Sequence, residues 1–93
     1  MKKIVYKYPL RSVLNDISMP KDAQIILVGE QYGLPCIWAE VVLPNKETEY
    51  ETRVFEVVGT GKVVAHNYLH RGSYVDDTPK GKAYVFHVYE VIQ

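Results

Sequence analysis

The chain has 93 residues, one cysteine, and 11 basic against 11 acidic side chains. This length accommodates one domain with a modest core. With a net charge of zero, the chain does not have the excess of basic residues that is typical of a protein that binds duplex DNA. A single cysteine excludes an internal disulfide and a cysteine-rich zinc site. The 14 valines and 6 isoleucines outnumber the 6 leucines and 4 alanines, and β-branched residues favour strands. We therefore expect residues 1–93 to form a single all-β domain, or a β-dominated α+β domain.

Four strands are predicted in the first half of the chain. They cover residues 3–8, 17–19, 24–31 and 36–43. Ile4, Tyr6 and Tyr8 share one face of the first strand, which ends at Pro9. Residues 11–15 form either a helical turn or a loop. The last two strands join as a hairpin around residues 30–34.

The second half predicts two or three further strands. They cover residues 52–58, 82–92 and, where Arg71 and Gly72 interrupt the pattern, 69–75. Residues 63–67 favour no element, and residues 76–81, with Pro79, form a turn-rich link. The strand at 82–92 is the longest predicted and is apolar on both faces, so it should lie centrally. Six or seven short strands predict a small antiparallel β-sandwich or barrel.

The sequence predicts no membrane segment. Met1, Lys2 and Lys3 resemble the start of a signal peptide, but polar residues interrupt the stretch that follows. The longest apolar runs are far shorter than the roughly 18 residues that span a bilayer. We expect a soluble, intracellular protein with no membrane partner, and the single Cys36 fits a reducing compartment.

Charge is uneven along the chain although it sums to zero. Residues 1–14 carry four bases and no acid, and residues 40–56 carry five acids and two bases. These segments are either solvated edges, with lysines protecting an N-terminal edge strand, or a bipolar surface that docks a charged partner or another copy. Zero net charge also eases self-association. We therefore expect a homo-oligomer.

A glycine-flanked segment, Gly59-Thr60-Gly61-Lys62, suggests a phosphate-binding loop. It lacks the Walker A pattern, because Glu56 replaces the first glycine and Val63 follows the lysine. Two interpretations remain. Gly59, Gly61 and Lys62 form either an anion-binding nest of backbone N–H groups beside an ammonium, or a hairpin turn that needs positive φ.

A second candidate group follows in the sequence. It consists of His66, Tyr68, His70, Arg71 and Tyr74. The i, i+4 spacing of the two histidines would suit zinc on a helix, but no HExxH motif accompanies them, and we predict no metal site. Histidine and arginine bind phosphate and tyrosine stacks on bases, so these residues form either a ligand-binding rim or an exposed loop without a partner.

The remaining candidates favour structural roles. His87, between apolar neighbours of a predicted central strand, is expected to be a structural histidine hydrogen-bonded in the core. Cys36 is expected to be a small buried residue. No nucleophile elbow surrounds Ser12, Ser18 or Ser73. The sequence therefore predicts no catalytic residue and no cofactor, and an enzyme is the less favoured class.

Several segments together resemble a known family. They are Tyr6-Lys7-Tyr8-Pro9-Leu10, Met19-Pro20, Cys36-Ile37-Trp38-Ala39, Arg53-Val54-Phe55, Val58-Gly59-Thr60-Gly61 and Val85-Phe86-His87-Val88-Tyr89-Glu90. This set is similar to a family of small proteins of unknown function encoded by bacteriophages and prophages. Many relatives continue after the glycine that corresponds to Gly61 with His-Pro, where this chain has Lys62-Val63, so a role of that histidine does not carry over. The resemblance implies a phage accessory protein in a host bacterial cytoplasm.

Three functions follow from this context. The first is an anti-defence sponge that sequesters a cyclic or signalling nucleotide without catalysis, with Gly59, Gly61, Lys62, His66, His70, Arg71 and Tyr74 as ligand-binding residues. The second is a protein inhibitor that docks on a host defence effector, as anti-CRISPR proteins do, through a charged or edge-strand surface. The third is a small hydrolase. We favour the sponge.

Overall fold

The valine- and isoleucine-rich segments form seven strands in a computed structural model that describes residues 1–77 and 81–92. They are β1 (Lys3–Pro9), β2 (Leu14–Pro20), β3 (Gln24–Gln31), β4 (Leu34–Val42), β5 (Tyr50–Gly59), β6 (Leu69–Asp76) and β7 (Tyr84–Val91). The described residues contain no helix, so the predicted all-β class is confirmed. The central residues of the predicted link at 76–81, including Pro79, lie outside the described residues.

The strands form two antiparallel sheets, with the order β1-β4-β3 in one and β2-β5-β7-β6 in the other. The sheets pack as a sandwich and do not close into a barrel, because β1, β3, β2 and β6 each remain a sheet edge. The edge strands β3 and β6 meet across the sandwich. There a Cβ built on Gly72 would lie only 2.6 Å from the Cβ of Val28.

The hydrophobic core lies between the sheets. Its largest fully buried side chains are Leu10, Met19, Ile37, Phe55 and Val88. They come from both sheets and from the loop after β1, so neither sheet buries its apolar face without the other. Ile4 and Tyr8 pack against this core, as the alternation along the first strand predicts.

The hairpin between β3 and β4 has the shortest connection in the fold. Tyr32 and Gly33 have φ angles of 55° and 79°, the conformation of a two-residue type I′ turn. Gln31 pairs directly with Leu34 across this turn. The predicted hairpin is confirmed, with β4 starting two residues earlier than expected.

Two predicted elements differ in detail. β7 lies between β5 and β6, as expected for an interior strand, but β5 is the longest strand with 10 residues. β5 is extended because it pairs with β2 along its first part and with β7 along its second part. Residues 11–13 form a loop, and β2 then begins at Leu14. The Asn15 side chain supports the loop by accepting from the backbone N–H of Ser12 and donating to its carbonyl.

The N-terminal strand β1 is an edge of its sheet and pairs only with β4. Its side chains include Lys3 and Lys7, which agrees with the interpretation that lysines protect an N-terminal edge strand. Among the described segments, none is a helix with the length and hydropathy needed to cross a membrane.

Candidate functional site

The segment Gly59-Thr60-Gly61-Lys62 is a turn that ends β5. Gly61 has a φ of 93°, which favours glycine. The N–H of Lys62 donates to the carbonyl of Gly59 at 3.2 Å, and that of Thr60 donates to Val85 at 3.3 Å. Two N–H groups of the segment are therefore already engaged within the protein. The turn interpretation describes this geometry, and the anion-binding role of Gly59, Gly61 and Lys62 stays a prediction.

Thr60 connects this turn to a chain of hydrogen bonds on the outer face of the four-stranded sheet. Its Oγ1 lies 2.9 Å from His87 Nε2. The other ring nitrogen of His87, Nδ1, lies 2.7 Å from Ser73 Oγ, which in turn lies 3.0 Å from His70 Nε2. We call Thr60, His70, Ser73 and His87 the polar array.

A β-bulge makes this array possible. Residues three apart on a regular strand point to opposite faces, so His70 and Ser73 should not meet. The register of β6 against β7 shifts between His70 and Gly72, and Arg71 is the additional residue of the bulge. The bulge returns Ser73 to the face of His70, opposite His87 on the neighbouring strand.

The proton positions in the array follow from counting donors. Thr60 has one hydroxyl proton, which it donates to the carbonyl of Val85 at 3.0 Å. With His87 neutral, its Nε2–H then donates to Thr60 and its Nδ1 accepts from the Ser73 hydroxyl. Ser73 Oγ can still accept from His70 Nε2–H. In this arrangement His70 donates to Ser73, Ser73 to His87, and His87 to Thr60. His70 Nδ1 makes no hydrogen bond to the residues that the structure describes.

Aromatic surface adjoins the array. The Tyr89 ring meets His70 edge to face, with centroids 5.3 Å apart, and the two histidine rings lie 6.2 Å apart. A protonated imidazole donates to phosphate oxygens, and aromatic rings stack on bases. This part of the sheet therefore combines both kinds of contact that a nucleotide requires.

Arg71 points to the other side of the sheet and joins a buried ion-pair cluster. Its Nε donates to Glu90 Oε1 at 2.9 Å. Arg53 donates to the same carboxylate through Nε and Nη2, at 2.7 and 2.8 Å. Glu90 is 6% exposed. Burial would raise the pKa of Glu90, but the hydrogen bonds from Arg53 and Arg71 outweigh it and hold that pKa below its usual value.

Tyr74 also lies on the inner side, where it packs against the core. Its ring stacks on Phe86 with the centroids 5.6 Å apart. Burial, followed by the charges of Asp76 and Glu30, raises the pKa of Tyr74 to about 12. His66 is exposed in the connection between β5 and β6.

The seven predicted ligand residues therefore do not form one cluster. Gly59, Gly61 and Lys62 share one turn, and His70 joins it through Ser73 and His87. Arg71 and Tyr74 lie on the opposite side of the sheet. Their roles as ligand-binding residues stay predictions. The described residues contain no group of three or more His, Cys, Asp or Glu side chains placed to hold a metal.

The prediction that His87 lies in the core was wrong, because His87 alternates with the core residue Val88 and so lies on the outer face of the sheet. Sequence reasoning also missed the other residues that complete the two clusters. Ser73 and His87 enter the polar array only through the bulge and the pairing of β6 with β7, which no local pattern reports.

Arg53 and Glu90 carried a usable signal. Arg53 lies two residues before the core residue Phe55, and Glu90 lies two residues after the core residue Val88. Residues two apart on a strand share a face. Opposite charges at inward positions of two strands predict a buried ion pair.

Together, the fold and the two clusters define a small antiparallel β-sandwich with a polar array on one sheet face and a buried ion-pair cluster behind it. The chain belongs to the family described as Domain of unknown function (DUF7352), whose model matches residues 1–93. This membership agrees with the resemblance to a family of unknown function. No curated protein and no solved structure matches the chain.

Proposed function

We propose that this protein is a non-catalytic sponge that binds a cyclic or signalling nucleotide on the outer face of its four-stranded sheet. The resemblance to phage-encoded proteins supports a role in a host bacterial cytoplasm during infection, where sequestration would blunt a nucleotide-based immune signal. The polar array supports this proposal, because it brings the glycine turn and His70 to a common surface.

The chemistry of that surface suits a phosphate beside a base. Lys62 is exposed, lies two residues beyond Thr60 in the same turn, and carries a positive charge. Tyr89, partly exposed beside His70, supplies a stacking surface. The proposed contacts are Lys62 and the array for phosphate and Tyr89 for the base. Arg71 and Tyr74 are not part of this surface.

The proposed assembly is a homo-oligomer, because the outer face of a small sandwich is open and a second copy would cover a bound nucleotide. Light scattering with and without a bound nucleotide measures this directly. A monomer in both conditions would contradict the oligomeric part of the proposal.

Calorimetry against a panel of cyclic dinucleotides, cyclic trinucleotides and cyclic ADP-ribose isomers tests the function. We expect one of them to bind, and Ser73→Ala to weaken its binding by about tenfold, because Ser73 holds His70 and His87 in the array. Ser18→Ala is the matched control, because Ser18 is exposed on β2 of the same sheet. Absence of heat with the whole panel at tens of micromolar protein would refute the proposal.

One distance favours a second candidate, a small hydrolase. Ser73 Oγ lies 2.7 Å from His87 Nδ1, and the opposite ring nitrogen contacts Thr60. This order of hydroxyl, base and orienting group is that of an activated nucleophile. Releasing the bound nucleotide by heat and analysing it by chromatography separates the two functions, because a sponge returns it unchanged. A stoichiometric complex with a host effector, without nucleotide binding, would instead support the protein-inhibitor alternative.

A further inference from the structure

A cavity of about 360 Å³ opens on the inner side of the four-stranded sheet, away from the polar array. The connection between β2 and β3 forms one wall, and β5, β6 and β7 form the other. Its charged lining residues are Asp22, Glu51, Arg53, Arg71 and Glu90. A cavity of this volume is large enough for a small ligand.

Three charged side chains of the cavity lining, Arg53, Arg71 and Glu90, are hydrogen-bonded to one another. Glu90 accepts from Arg53 and Arg71 through both of its oxygens. Arg53 also donates through Nη1 to the carbonyl of Ala23 at 2.6 Å, which ties β5 to the connection between the sheets. These bonds compensate for the removal of Arg53 and Glu90 from water. The three side chains Arg53, Arg71 and Glu90 together carry one excess positive charge.

That excess positive charge reaches the cavity through Arg71. Its side chain is 31% exposed, whereas that of Arg53 is 12% exposed. Arg71 uses Nε and Nη2 on Glu90, and among the described residues Nη1 has no hydrogen-bond partner. A guanidinium edge of this kind is a ready donor to a carboxylate.

The rest of the charged lining is acidic, with Asp22 on the connection between β2 and β3 and Glu51 on β5. The backbone N–H of Asp22 donates to Glu51 Oε1 at 3.4 Å, which places Asp22 beside the Glu51 carboxylate. Hydrogen bonds to Glu90 raise the pKa of Arg53 against the effect of burial, and the nearby charges of Glu51 and Asp22 raise it further. Both carboxylates line the same cavity as the two arginines.

We propose that this cavity binds a small zwitterion of the free α-amino-acid type. Asp22 and Glu51 would hold its ammonium group, and Arg71 would hold its carboxylate. A simple anion would meet the carboxylates of Asp22 and Glu51, and a simple amine would leave the free edge of Arg71 without a partner. A zwitterion matches both groups of charges. This site is separate from the nucleotide surface and does not depend on it.

The test is a calorimetric titration of the whole protein with each of the common L-amino acids at millimolar concentration. For any amino acid that binds, its N-acetyl derivative removes the ammonium charge and its carboxamide removes the carboxylate. We expect each derivative to bind at least about tenfold more weakly than the parent, because each loses a charged hydrogen bond.

Variants connect the binding to these side chains. Asp22→Asn and Glu51→Gln remove the two facing charges, and asparagine tolerates the φ of 66° at position 22. We expect each to weaken binding about tenfold. Asp16→Asn, at an exposed position of β2 outside the cavity, is the control and should bind like the wild type.

Three results would overturn the proposal. They are no binding by any amino acid, a carboxamide that binds as well as the parent, and an N-acetyl derivative that binds as well as the parent. The second result would describe an amine site and the third an anion site. Because the polar array is not involved, Ser73→Ala should bind amino acids like the wild type.

Discussion

At the scale of single residues, the balance of charge around Glu90 matters most for stability. Its carboxylate is buried and bound by two arginines from neighbouring strands. A buried ion pair adds little to stability compared with an apolar replacement, but removal of one partner leaves the other charge buried and unpaired. The cluster is therefore sensitive to the loss of its single acid.

We expect Glu90→Gln to lower the free energy of unfolding by about 2–3 kcal/mol, because Arg53 and the more exposed Arg71 then face a neutral amide. Urea unfolding followed by fluorescence measures this. Glu40→Gln is the control. Its ion pair with Lys3 is exposed, and its loss should change stability by less than about 1 kcal/mol. Equal effects of the two substitutions would contradict a special role for the buried cluster.

This contribution should depend on acidity. The pKa of Glu90 in the folded protein lies below its ordinary value of 4.5, so the folded state favours the charged form. The stabilisation is then complete above that value and is lost as the pH falls through the lower, folded-state pKa. The difference in unfolding free energy between the wild type and Glu90→Gln should therefore shrink as the solution is acidified.

Tyr74 predicts a corresponding effect at alkaline pH. Its pKa is raised from 10.0 to about 12, so the folded state favours the neutral phenol. That stabilisation is present below the ordinary value and is lost as the pH rises from 10.0 towards 12. Tyr74→Phe keeps the ring that stacks on Phe86. We expect its unfolding free energy to decline less steeply over this range than that of the wild type, and parallel curves would contradict the assignment.

At the scale of elements, the contact between β3 and β6 depends on a missing side chain. A Cβ at position 72 would lie 2.6 Å from the Cβ and 2.7 Å from Cγ2 of Val28. Both atoms are close to the backbone of β3, so the clash cannot be relieved by rotating a flexible side chain. Gly72 thus allows the edges of the two sheets to approach.

We expect Gly72→Ala to destabilise the protein by about 1–3 kcal/mol through overpacking. Gly59→Ala is the matched control, since a Cβ there would make ordinary contact with Phe86 at 3.7 Å. Val28→Gly removes both clashing atoms and should partly compensate, so the double variant should lose less stability than the sum of the two single variants. Additive losses would show that the two positions do not clash.

At the scale of the whole molecule, one buried thiol reports on the integrity of the sandwich. Cys36 lies on β4, the central strand of its sheet, and is 1% exposed. Because Cys36 alternates with the core residues Ile37 and Ala39, it lies on the outer side of its sheet. A thiol reagent reaches it only when the structure that covers this face opens. The rate of labelling therefore measures the population of opened molecules.

We expect Cys36 to react slowly with an aromatic disulfide reagent in buffer and rapidly in concentrated urea. Glu90→Gln and Gly72→Ala should both accelerate labelling in buffer, by factors that match their losses of unfolding free energy under conditions of fast reclosing. Rapid labelling of the wild type would show that β4 is exposed by local motion rather than by opening of the sandwich.

Most of the fold could be predicted from local patterns. Alternation predicts β1 and β5, the Tyr32-Gly33 pair favours a hairpin, and the lysines of β1 indicate an edge strand. The longest strand was misassigned, because strand length depends on partners. β5 gains its length by pairing with both β2 and β7, and a single segment carries no information about how many neighbours it will have.

The candidate sites divide in the same way. The sequence by itself determined the all-β class and the glycine turn at residues 59–62, and it identified His70 and Arg71 as candidate functional residues. These conclusions depend only on residue type and spacing. Only the tertiary structure decided that the bulge at Arg71 sends that side chain inward to Glu90 and returns Ser73 to His70 and His87. The physical reason is that a bulge changes which face of a sheet a residue occupies. Its effect is defined only by the register with the neighbouring strand.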